Sequence, residues 1–124
     1  MYLLDTHALL WAVGEPHKLG PRARAAVESS KVKVSIISAW ELIVKRTRKG
    51  SPVMDPLPWW KRHITDEAYE VLTIRFPHVI ELDRLPPIHA DPFDRMLIAQ
   101  ARAEELKIVT NDAMIARYDV EVVW

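Results

Sequence analysis

Short apolar runs alternate with helical stripes along the whole chain. Residues 2–4 (YLL) form an apolar run that ends at Asp5 and suit a buried strand. The next stretch carries Ala8, Leu9, Leu10, Trp11 and Val13 on a helix that stops at Gly14. Gly20-Pro21 opens a second helix, with proline at a permitted first-turn position. Residues 32–37 are β-branched and partly alternating, so they read as a second strand. Ser38-Ala39-Trp40-Glu41 has the spacing of a capping box and predicts a helix over 38–49, stopped by Gly50. Residues 50–58 hold three prolines and a glycine and form a loop. A helix over 59–67 and a strand over 69–74 follow, while 77–85 shows no clear period.

Leu85-Pro86-Pro87 interrupts the chain before its clearest signal. Asp91 is an N-cap candidate for a helix that begins at Pro92, with Asp94 in the first turn. Leu97, Ile98 and Ala101 follow Asp94 by three, four and seven residues, so its carboxylate heads the apolar stripe and aims inward. A strand over 107–110, a short helix over 112–117 and a strand over 120–123 complete the pattern. Strands alternating with helices at this spacing predict an α/β fold, a three-layer α/β/α sandwich around a mainly parallel central sheet.

The length, 124 residues, suits one domain spanning 1–124 with one compact core. Seventeen Lys and Arg balance seventeen Asp and Glu, which excludes a global basic field; nucleic-acid contacts must come from local patches. The absence of cysteine excludes disulfides and thiolate metal sites and fits a reducing, cytoplasmic setting. The opening MYLLDTHALLWAV has the hydrophobicity of a signal segment, but Asp5 interrupts it and no basic flank precedes it, so it is expected to be folded structure and not a membrane anchor.

Asp5, Glu41, Asp94 and Asp112 each stand where a strand or loop hands over to a helix. Taken singly, each is explained as a helix cap or a partner of the helix dipole. Together they predict something more, because a parallel sheet opens all its handovers onto one edge. Carboxylates gathered there repel one another unless a compensating charge is present. An oxygen-only set without a His or Cys cluster favours Mg²⁺ or Mn²⁺ over zinc.

The segments MYLLDTHALLW, SAWELIVK, HADPFDRMLIAQA and IVTNDAMIARY, in this order and separation, resemble the PIN domain family, in particular the toxins of VapBC toxin–antitoxin modules. The resemblance spans nearly the whole chain and implies a PIN-like fold and an Mg²⁺- or Mn²⁺-dependent endoribonuclease. It places the family's acidic tetrad on Asp5, Glu41, Asp94 and Asp112, as metal ligands and catalytic residues, without substitution. Thr6, Asp91, Thr110 and Asn111 adjoin the tetrad and are expected to support it. RNA is the implied substrate, and a VapB-type antitoxin and a second toxin subunit are the implied partners. A PIN nuclease that processes RNA without an antitoxin is the alternative within the fold. A phosphorelay receiver domain fits less well, since it requires paired acids after the first strand, where this chain has Asp5 alone.

Lys45, Arg46, Arg48 and Lys49 cluster at the end of the third predicted helix. They serve either to complement the helix C-terminus or to grip RNA phosphates. Trp59 and Trp60 are adjacent, so on a helix they cannot both point into one core, whereas Trp11, Trp40 and Trp124 are assigned to the core. No two histidines have metal-ligand spacing; His89 is assigned to local hydrogen bonding near Asp91.

Overall fold

The computed structural model describes residues 1–124. Five strands form one all-parallel sheet: β1 (Tyr2–Leu4), β2 (Val32–Ser35), β3 (Glu70–Leu72), β4 (Lys107–Val109) and β5 (Val122–Val123), in the order β3-β2-β1-β4-β5. Six α-helices connect and cover them: α1 (Thr6–Gly14), α2 (Pro21–Glu28), α3 (Ile36–Lys45), α4 (Pro56–Trp60), α5 (Phe76–Arg84) and α6 (Pro92–Glu104). Central strand β1 pairs with β2 through Leu3 and Lys33, and with β4 through Leu3 and Ile108. The chain therefore winds outward in one direction from β1, then returns to its other side. This reversal leaves a crevice above the carboxyl ends of β1 and β4.

The alternation of strand side chains divides the core into two layers. Leu3 and Ile108 point to one face, where they pack with Leu97, Ile98 and Ala101 of α6 and with Ile115 and Tyr118. Leu4 and Val109 point to the other, against Ala8 and Leu9 of α1, Ala23 and Ala26 of α2, and Trp60 and Ile64. A buried parallel sheet needs both faces covered, so apolar side chains fill both faces, while Lys33, Glu70 and Lys107 are only partly buried or exposed. No helix is long and apolar enough to cross a membrane. The opening segment, with its signal-like hydrophobicity, is spent on β1 and α1.

Several local expectations are corrected. The predicted capping box at Ser38 is not used: α3 starts at Ile36, and Ser35 is its N-cap, accepting the Ile37 N–H at 3.0 Å. Ser35 Oγ also donates to Gln100 Oε1 at 2.5 Å, so a bond to α6 outweighs the β propensity of Ile36 and Ile37 and ends the strand early. The same helix ends at Lys45 and not at Lys49. Helix α4 begins inside the expected proline-rich loop and runs on into a π-helical turn, Lys61–Thr65. The expected helix after Asp112 is only a short 3-10 turn, Ile115–Arg117.

The segment without a clear period forms α5. Its buried face carries His78, while Phe76, Val79 and Ile80 are exposed, so no single apolar stripe marks it. Its N-terminus is fixed by a distant partner: His78 Nδ1 accepts the Arg75 N–H at 3.0 Å, and Nε2 lies 2.9 Å from Glu104 on α6. Trp40, expected in the core, is 54% exposed and only lies edge-on against Phe93. Of the adjacent pair, Trp60 is buried and Trp59 half-buried.

A carboxylate cleft at the switch point of the sheet

The crevice above β1 and β4 is a cleft of about 470 Å³. Asp5, Glu41, Asp94 and Asp112 all line it, as do Thr6, Asp91 and Asn111. Thr110 lies directly beneath, and Lys45 closes one side. Arg46, Arg48 and Lys49 are exposed beyond the end of α3 and do not line the cleft.

Each acid is delivered by a different element. Asp5 follows β1 and is the N-cap of α1, its Oδ1 accepting the Ala8 N–H at 2.8 Å. Its backbone N–H bonds to Val109 O at 3.2 Å, tying the end of β1 to that of β4. The second oxygen, Oδ2, accepts a 2.5 Å bond from Thr110 Oγ1, and that hydroxyl in turn accepts the Asp112 N–H at 3.0 Å. One threonine thus spaces two acids that are far apart in the chain. Asp112 also accepts the Met114 N–H at 2.8 Å, which closes the loop on which it sits.

Glu41 lies one and a half turns into α3 and is almost fully buried. Thr6 Oγ1 donates to its Oε1 at 2.6 Å, so the neighbouring Ser38 hydroxyl, 2.9 Å from Thr6, must donate to Thr6. Lys45, one turn further along, bonds to Glu41 Oε2 at 2.6 Å and to Asp91 Oδ2 at 3.0 Å. Burial pulls the Lys45 ammonium down, but the two carboxylates outweigh it and hold its pKa above the ordinary value. Burial likewise works against the Asp91 carboxylate; Lys45 and the N–H groups of Asp94 and Phe93 prevail and hold it below the usual range. Asp91 is the expected N-cap of α6, accepting from Phe93 N at 2.8 Å and Asp94 N at 3.2 Å.

Asp94 has no such cation beside it. Burial pushes its pKa up to about 7, and the nearby Asp91, Glu41 and Asp5 add repulsion, which His89 only partly relieves. Burial also raises Asp5, against the bonds from Thr110 and Ala8. His89 Nε2 stands 3.1 Å from Asp94 Oδ2 and 3.1 Å from Asp112 Oδ2. Ligand atoms of His89, Asp94 and Asp112 fall within 4.8 Å of one another.

The donors that converge are hard carboxylate oxygens, and on the Asp5, Asp94 and Asp112 side their charge is uncompensated. Such a set fits Mg²⁺ or Mn²⁺. Sequence reasoning missed the place of Lys45, although a Glu followed four residues later by a Lys is a recognisable helical pair. His89 makes the local bond expected of it, accepting the Asp91 N–H at 3.1 Å; its approach to Asp94 and Asp112 was missed.

A family profile described as "PIN domain" matches residues 2–121. No curated protein sequence matches the chain. Among solved structures, VapBC from Salmonella typhimurium bound to DNA is similar with a TM-score of 0.70 at 20% identity, covering 98% of this chain and 95% of that one. VapBC2 from Rickettsia felis, bound to a DNA fragment from their promoter, gives 0.68 at 17% identity, covering 98% and 96%. FitAcB from Neisseria gonorrhoeae gives 0.67 at 20% identity, again covering 98% and 96%. These identities speak for a shared fold, and the profile, which takes in nearly every residue from β1 to the edge of β5, shows that the chain belongs to the PIN domain family.

Proposed function

We propose that this chain is a divalent-cation-dependent endoribonuclease acting as the toxin of a VapBC-type toxin–antitoxin pair. The observation that carries this reading is the convergence of Asp5, Glu41, Asp94 and Asp112 from four separate elements onto one cleft. Isolated helix caps need no such convergence; at Asp94 burial, with repulsion from Asp91, Glu41 and Asp5 added to it, pushes the pKa up to about 7.

Asp5 and Asp94 are the primary ligands for Mg²⁺ or Mn²⁺, with Glu41 and Asp112 beside them. A bound ion would supply charge to a phosphate oxygen and acidity to a water molecule. The chain's own groups do the rest. Thr110 holds Asp5, Thr6 holds Glu41, and both do so through hydroxyl donors that favour the ionised carboxylate. Asp112, with a side chain 36% exposed, faces the approaching substrate and takes the proton from the attacking water. Attack on phosphorus in line with the leaving 3′ oxygen yields a 5′-phosphate and a 3′-hydroxyl. Asn111 is exposed at the rim, where its amide can donate to RNA. Arg46, Arg48 and Lys49, exposed beyond the end of α3 and outside the cleft, supply the local positive patch that a chain of zero net charge requires to hold RNA.

The antitoxin and a second copy of the chain are the proposed protein partners. The antitoxin is supported by the solved relatives, which include a toxin–antitoxin complex from Klebsiella pneumoniae with a TM-score of 0.64 at 16% identity. Exposed apolar side chains on α3 (Trp40 and Val44) and α5 (Phe76, Val79 and Ile80) offer surface for such contacts.

Incubation of a cellular RNA pool with Mg²⁺, with Mn²⁺ or with chelator tests the reaction. Cleavage should require the ion and should fall by roughly a hundredfold or more in Asp94→Asn. Cleavage that persists in chelator, or a fully active Asp94→Asn, refutes it. A short neighbouring gene for a DNA-binding protein is expected on the toxin reading; its absence favours an RNA-processing PIN nuclease.

A further inference from the structure

His89 opens the HADPFDR segment without being one of its acids, and its Nε2 lies 3.1 Å from two of the four carboxylates. Its ring is constrained on both nitrogens. The Asp91 backbone N–H donates to Nδ1 at 3.1 Å, so Nδ1 carries no proton and the neutral ring must hold its hydrogen on Nε2. That N–H is hydrogen-bonded to Asp112 Oδ2 at 3.1 Å, and Asp94 Oδ2 stands 3.1 Å from the same nitrogen as a polar contact off the bond axis. A nitrogen that bears hydrogen has no lone pair for a cation, so within the group of His89, Asp94 and Asp112 only the two carboxylates are available as ligands.

The loop that carries His89 is itself anchored. The buried Tyr118 hydroxyl accepts the Ile88 N–H at 3.1 Å and the His89 N–H at 2.7 Å. Arg95, on α6, donates to the same hydroxyl at 3.1 Å and to Pro86 O at 2.9 Å. The backbone on either side of the imidazole is therefore tied to the core, and the ring has little freedom to turn away. Asp94 lies in the first turn of α6, and Asp112 on the loop after β4. No covalent neighbour sets their spacing, and like charge drives them apart.

We propose that His89 is a positioning residue, which holds Asp94 and Asp112 at the spacing a divalent cation needs, its Nε2–H bonded to Asp112 and in polar contact with Asp94, and that Tyr118 holds His89 in turn. This rests on the nuclease reading of the cleft. Hydrogen bonds to ligating carboxylates from outside the coordination sphere sustain metal affinity, and their loss costs roughly tenfold to a hundredfold.

Calorimetric titration of Mn²⁺ into the full chain at one fixed pH reads this without any cleavage assay. His89→Ala should weaken Mn²⁺ binding by roughly tenfold or more, while its circular dichroism and its melting temperature in chelator stay close to wild type. His89→Gln, which can place an amide N–H near the former Nε2, should recover most of the affinity. Tyr118→Phe should fall between them. Equal affinity in wild type and His89→Ala overturns the proposal, as does an alanine variant that binds more tightly, because the imidazole would then be a competitor of the ion. A glutamine variant no better than alanine also overturns it, since the N–H would not be the active element. If wild type binds no Mn²⁺, the nuclease reading fails as well; if wild type binds and His89→Ala is unaffected, only the role of His89 is lost.

Discussion

The two sides of the cleft hold similar carboxylates in different states. On one side, Glu41 and Asp91 share the Lys45 ammonium at 2.6 and 3.0 Å, and Asp91 titrates below the ordinary range. On the other, Asp5, Asp94 and Asp112 have hydroxyl, backbone and imidazole donors but no Lys or Arg within salt-bridge distance, and both Asp5 and Asp94 titrate above it. Burial raises Asp5 and Asp94, and it works against Asp91 too; at the less deeply buried Asp91, the Lys45 ammonium and two backbone N–H groups overcome it. One side of the cleft has its counter-charge built into α3, and the other is left with a negative excess that a proton or an external cation must neutralise.

The largest effect expected from breaking this asymmetry is on the compensated side. Removal of one partner from a buried ion pair commonly costs about 3–5 kcal/mol, and partial exposure here reduces that to about 2–3 kcal/mol for Lys45→Met. Denaturant unfolding at neutral pH measures it. Lys45→Arg, which keeps the charge, should lose less than about 1 kcal/mol. If the methionine variant unfolds at the same midpoint as wild type, Glu41 and Asp91 are solvated well enough to need no counter-ion, and the contrast between the two sides collapses.

On the uncompensated side the sign reverses. The Asp94 pKa rises from 3.8 to about 7 in the folded protein, so the folded state favours the protonated carboxyl. Its stabilising contribution is complete below about pH 4 and is lost as the pH climbs through 7. A tenfold difference in proton affinity between folded and unfolded chain is worth about 1.4 kcal/mol, and the partly open side chain lowers the total to about 2 kcal/mol. Asp94→Asn should therefore be more stable than wild type at pH 8 in chelator, and no more stable at pH 4. Added Mg²⁺ or Mn²⁺ should raise the stability of wild type and close the gap. A variant no more stable at pH 8 would mean that the excess charge is already dispersed.

How much of this is legible in the chain depends on how local each cause is. The Asp91 cap, Pro92 and the stripe of Leu97, Ile98 and Ala101 all act within one helix, and they place α6 and the inward direction of Asp94 correctly. The start of α3 is misplaced because Ser35 is selected over Ser38 by Gln100, sixty-five residues away. Helix α5 is invisible for a similar reason, since its cap His78 is held by Glu104 and its apolar residues are divided between core and surface. The four acids are legible as a set because a parallel sheet converges its handovers. The asymmetry among them is not, because Lys45 reaches Asp91 across forty-six residues.

The smallest predicted effect tests whether neutral donors can do part of what Lys45 does. Thr110 Oγ1 donates to Asp5 Oδ2 and accepts the Asp112 N–H, so Thr110→Val keeps the shape of the residue and removes both bonds. A net hydrogen bond is worth about 1 kcal/mol, rising to about 1.5–3 kcal/mol when one partner is charged. Burial already disfavours the charged form of Asp5, and protonation gives the carboxyl an escape from an unpaired charge. The loss at pH 8 in chelator should accordingly stay at about 1 kcal/mol, and it should shrink as the pH falls and Asp5 takes up its proton in both proteins. A loss as large as that of Lys45→Met would show that a hydroxyl compensates a buried carboxylate here as well as an ammonium does, and the distinction between the two sides of the cleft would then rest on geometry and not on charge.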